Sequence, residues 1–174
     1  MSLPGYSTEE TALAKSKIVL PEQGRSVTAG QAVYTFKVTG EDSYGKFGLF
    51  EIRMNSGYGI KPHSHKELLE IFYVVEGKVT FLVGNEQVCF ERGSIATIPK
   101  KNKHAFANPS GSQAIMHLMF CPAAKREYYF KGLAEMAKQA STPDPETLRR
   151  YWEANDQYPE EDPSWLYWEN KQKP

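Results

Sequence analysis

Cysteine is scarce in this chain: 174 residues carry two, Cys89 and Cys121. Two thiols build no disulfide framework at this size, and they form no CxxC pair. The expectation is two buried thiols in a reducing, cytoplasmic compartment. An excess of charge of one sign is missing too. Lys+Arg and Asp+Glu number 21 each, for a formal net charge of zero. That balance gives no general attraction to nucleic acid or to an anionic membrane, and neither flank shows a helix-turn-helix pattern or a basic stripe. Long hydrophobic runs are also absent. Apolar stretches stay as short as Ile71-Phe72-Tyr73-Val74-Val75, far from the ~20 residues of a membrane helix. The first residues hold Glu9 and Glu10 and no apolar core, so they do not read as a signal peptide. HExxH, GxSxG, GxGxxG and the P-loop are all lacking.

What is present is a globular composition, 40% hydrophobic and 24% charged, with a high aromatic share of 13%. The length suits about one domain at ~100–200 residues each. Thirteen Gly and eleven Pro point to many turns and short elements. Residues 1–28 are polar and read as an N-terminal arm that lends one strand. Residues 29–122 show short alternating runs, such as Phe47 to Met54 and Val79-Phe81-Val83, broken by Glu76-Gly77, Gly84-Asn85 and Arg92-Gly93. Short strands at this turn spacing predict an all-β sandwich or barrel, and no intervening helix supports a parallel sheet. Residues 123–174 change period. Tyr128, Phe130, Leu133 and Met136 predict one helix over 125–139. Asp144 as N-cap with Pro145 at N1 predicts a second, carrying Leu148, Tyr151 and Trp152. An aromatic tail follows, with Trp165, Tyr167 and Trp168.

Three of the four histidines fall in one arrangement. Gly57, five residues, His63-Ser64-His65, four residues, Glu70, six residues, Gly77 is the first block. Gly93, five residues, Pro99, four residues, His104, three residues, Asn108 is the second. An HxH pair on a strand aims both imidazoles at one face, because side chains alternate with period two. Glu70 has the wrong parity to join them unless the strand breaks or bulges around Lys66-Glu67; Glu67 has the matching parity and is the rival carboxylate. His104 comes from another strand. Three imidazoles and a carboxylate suit one divalent first-row metal (Fe, Mn, Ni, Co, Cu or Zn) with positions left open for substrate, water or dioxygen. A lone HxH reads as a surface pair; the full set at one consistent spacing reads as a metal site.

These blocks resemble the two sequence motifs of the cupin superfamily. The second departs once: Lys101 stands where the family has glycine, and Asn102 is the neighbour suited to supply a positive φ. The resemblance implies a jelly-roll β-barrel with a C-terminal helical extension, and His63, His65, Glu70 and His104 as metal ligands inside it. It says little about the reaction.

Phe72 and Phe106 lie two residues beyond ligands and are candidates for an aromatic substrate-binding wall. His117 is a third candidate, with a core role as its default. The spacing and helical extension look similar to quercetin 2,3-dioxygenase-like proteins. The leading expectation is therefore a metal-dependent dioxygenase on a small aromatic or enol-bearing substrate, with Glu70 as ligand or base. The alternatives are a non-oxidative isomerase, cyclase or decarboxylase using the metal as Lewis acid, and a non-catalytic metal or ligand binder. The aromatic surplus in residues 123–174 must cover a sheet, either of the same chain or of a partner, and a homodimer is the leading expectation.

Overall fold

The computed structural model describes residues 16–139 and 143–165. The Ser141-Thr142 lead into the second helix, and Tyr167 and Trp168 of the tail, lie outside the described residues. Among the described residues, ten strands precede the first helix: β1 (Arg25–Ala29), β2 (Ala32–Val38), β3 (Gly48–Met54), β4 (Gly59–Ser64), β5 (Leu69–Glu76), β6 (Lys78–Val83), β7 (Glu86–Glu91), β8 (Ile95–Ile98), β9 (His104–Ala107) and β10 (Ala114–Cys121). Helices α1 (Arg126–Ala137) and α2 (Pro145–Ala154) and a two-residue strand β11 (Tyr158–Pro159) follow.

All pairings are antiparallel and make two sheets, ordered β1-β2-β3-β10-β5-β8 and β11-β4-β9-β6-β7. The neighbours in each sheet are mostly distant in sequence, as in a jelly roll. Alternation decides the faces. In β3, Phe50, Ile52 and Met54 are fully buried, whereas Leu49, Glu51 and Arg53 are half-buried on the other side. One core collects Tyr34, Phe36, Phe50, Phe72, Phe81, Phe106 and Phe120 from both sheets. Each such side chain stabilises the fold by roughly 1.5–3 kcal/mol relative to exposure. The Glu76-Gly77 turn needs its glycine: φ is +78°, and a Cβ there would stand 2.9 Å from the Gln113 carbonyl oxygen.

The extension packs on its own barrel. Phe130 stacks on Tyr34 at 4.2 Å between centroids, and Tyr129 lies beside it in the main core. The buried face of α1 is Arg126, Glu127, Tyr129, Phe130 and Ala134; Tyr128, expected on that face, is 52% exposed. The helix starts after Ala124 and Lys125, both at positive φ, and Phe130 of the expected face is buried as expected. Gly132 lets α2 approach: a Cβ there would lie 2.0 Å from the Tyr151 hydroxyl oxygen, whose proton goes to the Tyr129 carbonyl at 2.8 Å. Asp144 caps α2 as expected, accepting from the Thr147 N–H at 3.0 Å with Pro145 next. Trp165 is buried against Leu82, Ala105 and Ala107 and donates to the Ile60 carbonyl at 3.1 Å. Tyr129, Phe130 and Trp165 thus find cover within the chain, whereas Tyr128 is exposed and α2 has no fully buried residue.

The thiols correct a second expectation. Cys89 is exposed and Cys121 half-buried, and neither is bridged. Cys89 sits on β7, an edge strand of its sheet that is exposed along most of its length. Among the described residues, no helix is long and apolar enough to cross a membrane.

Candidate metal centre

His63 lies near the end of β4, His65 just beyond it, Glu70 on β5 and His104 at the start of β9. Strands β4 and β9 are neighbours, with His63 paired to His104, so two imidazoles meet across one ladder. All four side chains are buried, His104 completely. Ring centroids stand 4.3 Å apart for His63 and His104, 5.0 Å for His63 and His65, and 5.4 Å for His65 and His104.

The break that Glu70 requires is present. β4 ends at Ser64 and β5 begins at Leu69. The intervening turn presents the N–H groups of Lys66, Glu67 and Leu68 to the Asp156 carboxylate, at 2.9, 3.0 and 3.1 Å. The turn shifts the parity and brings Glu70 inside. Glu67, the rival carboxylate, is exposed and pairs with Lys100 at 3.3 Å. Asp156 escapes sequence reasoning because it lies far along the chain, after α2, with no motif around it.

Each imidazole is oriented by a carbonyl behind it. Nδ1 of His63 meets the Lys61 oxygen at 2.9 Å, Nδ1 of His104 meets the Asn102 oxygen at 3.0 Å, and Nδ1 of His65 meets the Asp156 oxygen. A carbonyl only accepts, so each Nδ1 carries the proton, and in a neutral ring Nε2 is left as an acceptor. Two of those Nε2 atoms, on His65 and His104, face a carboxylate. His104 Nε2 stands 2.7 Å from Glu70 Oε2, and His65 Nε2 stands 3.3 Å from Glu70 Oε1 without hydrogen-bond geometry. Acceptors facing acceptors in a buried site call for a cation among them. Burial pushes the His63 imidazole well below its ordinary range, helped by His104 and His65, so this ring stays neutral. Burial alone would raise the Glu70 carboxyl, but positive charge on its His65 and His104 side outweighs burial and holds it well below the usual carboxylate range; with the rings neutral, a bound cation would supply that charge. The ligand atoms lie within 4.8 Å of one another, close to the ~4.2 Å span that metal–nitrogen bonds of ~2.1 Å allow. The donor set fits a divalent metal.

The remaining candidates divide. Phe72 and Phe106 are fully buried and pack at 5.6 Å on each other, with Phe72 at 6.0 Å from the His104 ring. They fill the barrel interior beside the ligands. His117 is on the other face of β10 from Met116 and Leu118, half-buried, 3.8 Å from Glu51. That outward face separates it from the ligand cluster, because neighbouring residues of a strand point to opposite sides. The turn before His104 corrects the Asn102 expectation: Lys101 itself adopts φ +65°.

A family model described as the cupin domain matches residues 50–121, spanning both histidine blocks. Residues 50–121 are a cupin domain. Solved structures share its fold. KdgF from Halomonas sp. aligns with TM-score 0.55 at 14% identity, covering 61% of this chain and 94% of that one. A predicted oxalate decarboxylase from Thermotoga maritima aligns with TM-score 0.57 at 13% identity, covering 61% and 99%. The polyketide cyclase RemF from Streptomyces resistomycificus aligns with TM-score 0.55 at 18% identity, covering 62% and 80%. Comparison with curated proteins gives no significant match. In this cupin domain the family glycine of the second block is replaced by Lys101, yet the left-handed turn is kept.

Proposed function

We propose that this cupin-domain protein is a metal-dependent enzyme that uses dioxygen on a small organic substrate bearing an acidic enol, phenol or carboxylate oxygen. The observation that carries the reading is the convergence of three imidazoles and the Glu70 carboxylate on one buried point. A divalent ion held by His63, His65, Glu70 and His104 supplies Lewis acidity and, in its redox-active versions, a route to dioxygen chemistry. The chain does the rest. The carbonyls of Lys61, Asn102 and Asp156 fix the three rings with Nε2 inward. The turn from Lys66 to Leu68 brings the Glu70 carboxylate to the same point, beside the His65 and His104 rings. Phe72 and Phe106, packed on each other beside the ligands, keep the surroundings of the site apolar. The test is metal analysis of protein purified without chelator, followed by oxygen-electrode measurements with flavonols and other enols. Stoichiometric oxygen uptake supports the reading; turnover without uptake overturns it.

A second reading uses the same site without oxygen, for cyclisation, isomerisation or decarboxylation. It draws support from the names of the structural neighbours, which include a polyketide cyclase and a predicted oxalate decarboxylase. Product formation under strict anaerobiosis would favour it.

A further inference from the structure

Two of the three imidazoles are oriented locally, by carbonyls two residues upstream. His65 is different: its Nδ1 partner, the Asp156 oxygen, is 91 residues away along the chain. The same Asp156 uses its carboxylate to gather the three N–H groups of the Lys66-to-Leu68 turn, the break that turns Glu70 inward. One residue therefore holds the ring of one ligand and the offset of another.

Asp156 is itself held. It takes φ +56°. Its neighbours are gripped by Arg126 of α1, a guanidinium only 2% exposed, which donates to the Asn155 carbonyl at 2.8 Å and to the Gln157 side-chain oxygen at 3.0 Å. That guanidinium lies 4.1 Å over the Tyr129 ring and 5.1 Å over Phe120, and Phe120 pairs with Glu70 across β10 and β5. Past Asp156 the chain lies along the ligand strand: β11 pairs Tyr158 with Ser64 and Pro159 with His63. The Ser64 hydroxyl donates to Glu160 at 2.7 Å, and the Glu160 N–H donates to the Pro62 carbonyl at 2.9 Å.

We propose that residues 155–160, gripped by Arg126, are a clasp that completes the metal centre, with Asp156 as its positioning residue. This rests on the metal reading above. Metal binding and seating of the clasp are then coupled. The clasp raises metal affinity, and the metal, by thermodynamic reciprocity, steadies the clasp to the same degree. Groups that orient a metal-bound imidazole from behind typically change metal affinity by ~10–100-fold when removed.

The experiment measures Zn²⁺ and Co²⁺ affinity by chelator competition in the full chain. Asp156→Gly removes the carboxylate while keeping the backbone carbonyl and relieving the positive φ; Arg126→Met removes the grip. Asp144→Ala weakens the cap of α2 and serves as a control for general loss of stability. The expected result is a ~10–100-fold drop for Asp156→Gly, a drop in the same direction for Arg126→Met, and unchanged affinity for Asp144→Ala. Hydrogen exchange of the wild-type Lys66, Glu67 and Leu68 amides, which needs no variant, should slow when Zn²⁺ is added. Affinity within twofold of wild type in Asp156→Gly, or exchange indifferent to Zn²⁺, overturns the clasp while leaving the metal reading intact. A wild-type chain that binds neither ion overturns both.

Discussion

The Lys101 backbone N–H donates to the His65 carbonyl oxygen at 2.6 Å. This bond ties the turn leading into His104 to the segment carrying the second imidazole, and Lys101 reaches it by adopting a left-handed conformation. A side chain in that region costs roughly 1–2 kcal/mol, while glycine adopts it freely and gives back about 0.5–1 kcal/mol in unfolded-state entropy. Lys101→Gly is expected to raise stability by about 0.5–1 kcal/mol in urea unfolding. A loss of stability would show that the Lys101 side chain contributes more than its strain.

Removing a ligand should empty the site and spare the barrel. His63→Ala and His104→Ala are expected to lose most bound metal, measured by elemental analysis, while far-ultraviolet circular dichroism stays that of a β protein. Glu67→Ala should keep the wild-type metal content, because Glu67 is exposed and faces Lys100. Full metal occupancy in His104→Ala would overturn the ligand assignment.

The cap of α2 offers a separate check. Asp144 accepts from the Thr147 N–H and from its hydroxyl. Asp144→Ala is expected to destabilise the protein by about 1 kcal/mol, read as a shift in the urea midpoint with an unchanged slope. Asp144→Asn, which can still cap, should stay near wild type.

Acid should release the segment around Trp165. Lys103 and Ser164 hold the Asp162 carboxyl down to about 2. Its value in the unfolded chain is about 3.9, so the unfolded state takes up the proton first and stability falls with falling pH. The contribution is fully present above about pH 4 and lost as pH drops through about 2. An acid titration followed by tryptophan fluorescence should show this step in the wild type. Asp162→Asn should lack it; an unchanged profile in that variant would assign the step elsewhere.

Much of this architecture is legible in the order of residues. Strand faces follow from period-two alternation, as in Phe50, Ile52 and Met54, because a pleated backbone leaves a side chain no other choice of side. The α2 cap at Asp144 and the turn at Gly77 follow from local chemistry that acts within four residues. The candidate ligands His63 and His104 are placed by spacing on strands, and His65 by its two-residue offset from His63 just past the end of β4. Tertiary structure decided what depends on groups distant in sequence. It chose Glu70 over Glu67, because the parity shift needs a carboxylate from residue 156 to gather three N–H groups. It turned His117 outward toward Glu51, left Cys89 on an edge strand, and buried Arg126 and Glu127 of α1 while Tyr128 is exposed. Periodicity reports which residues share a face; only packing against the rest of the chain determines which face is covered.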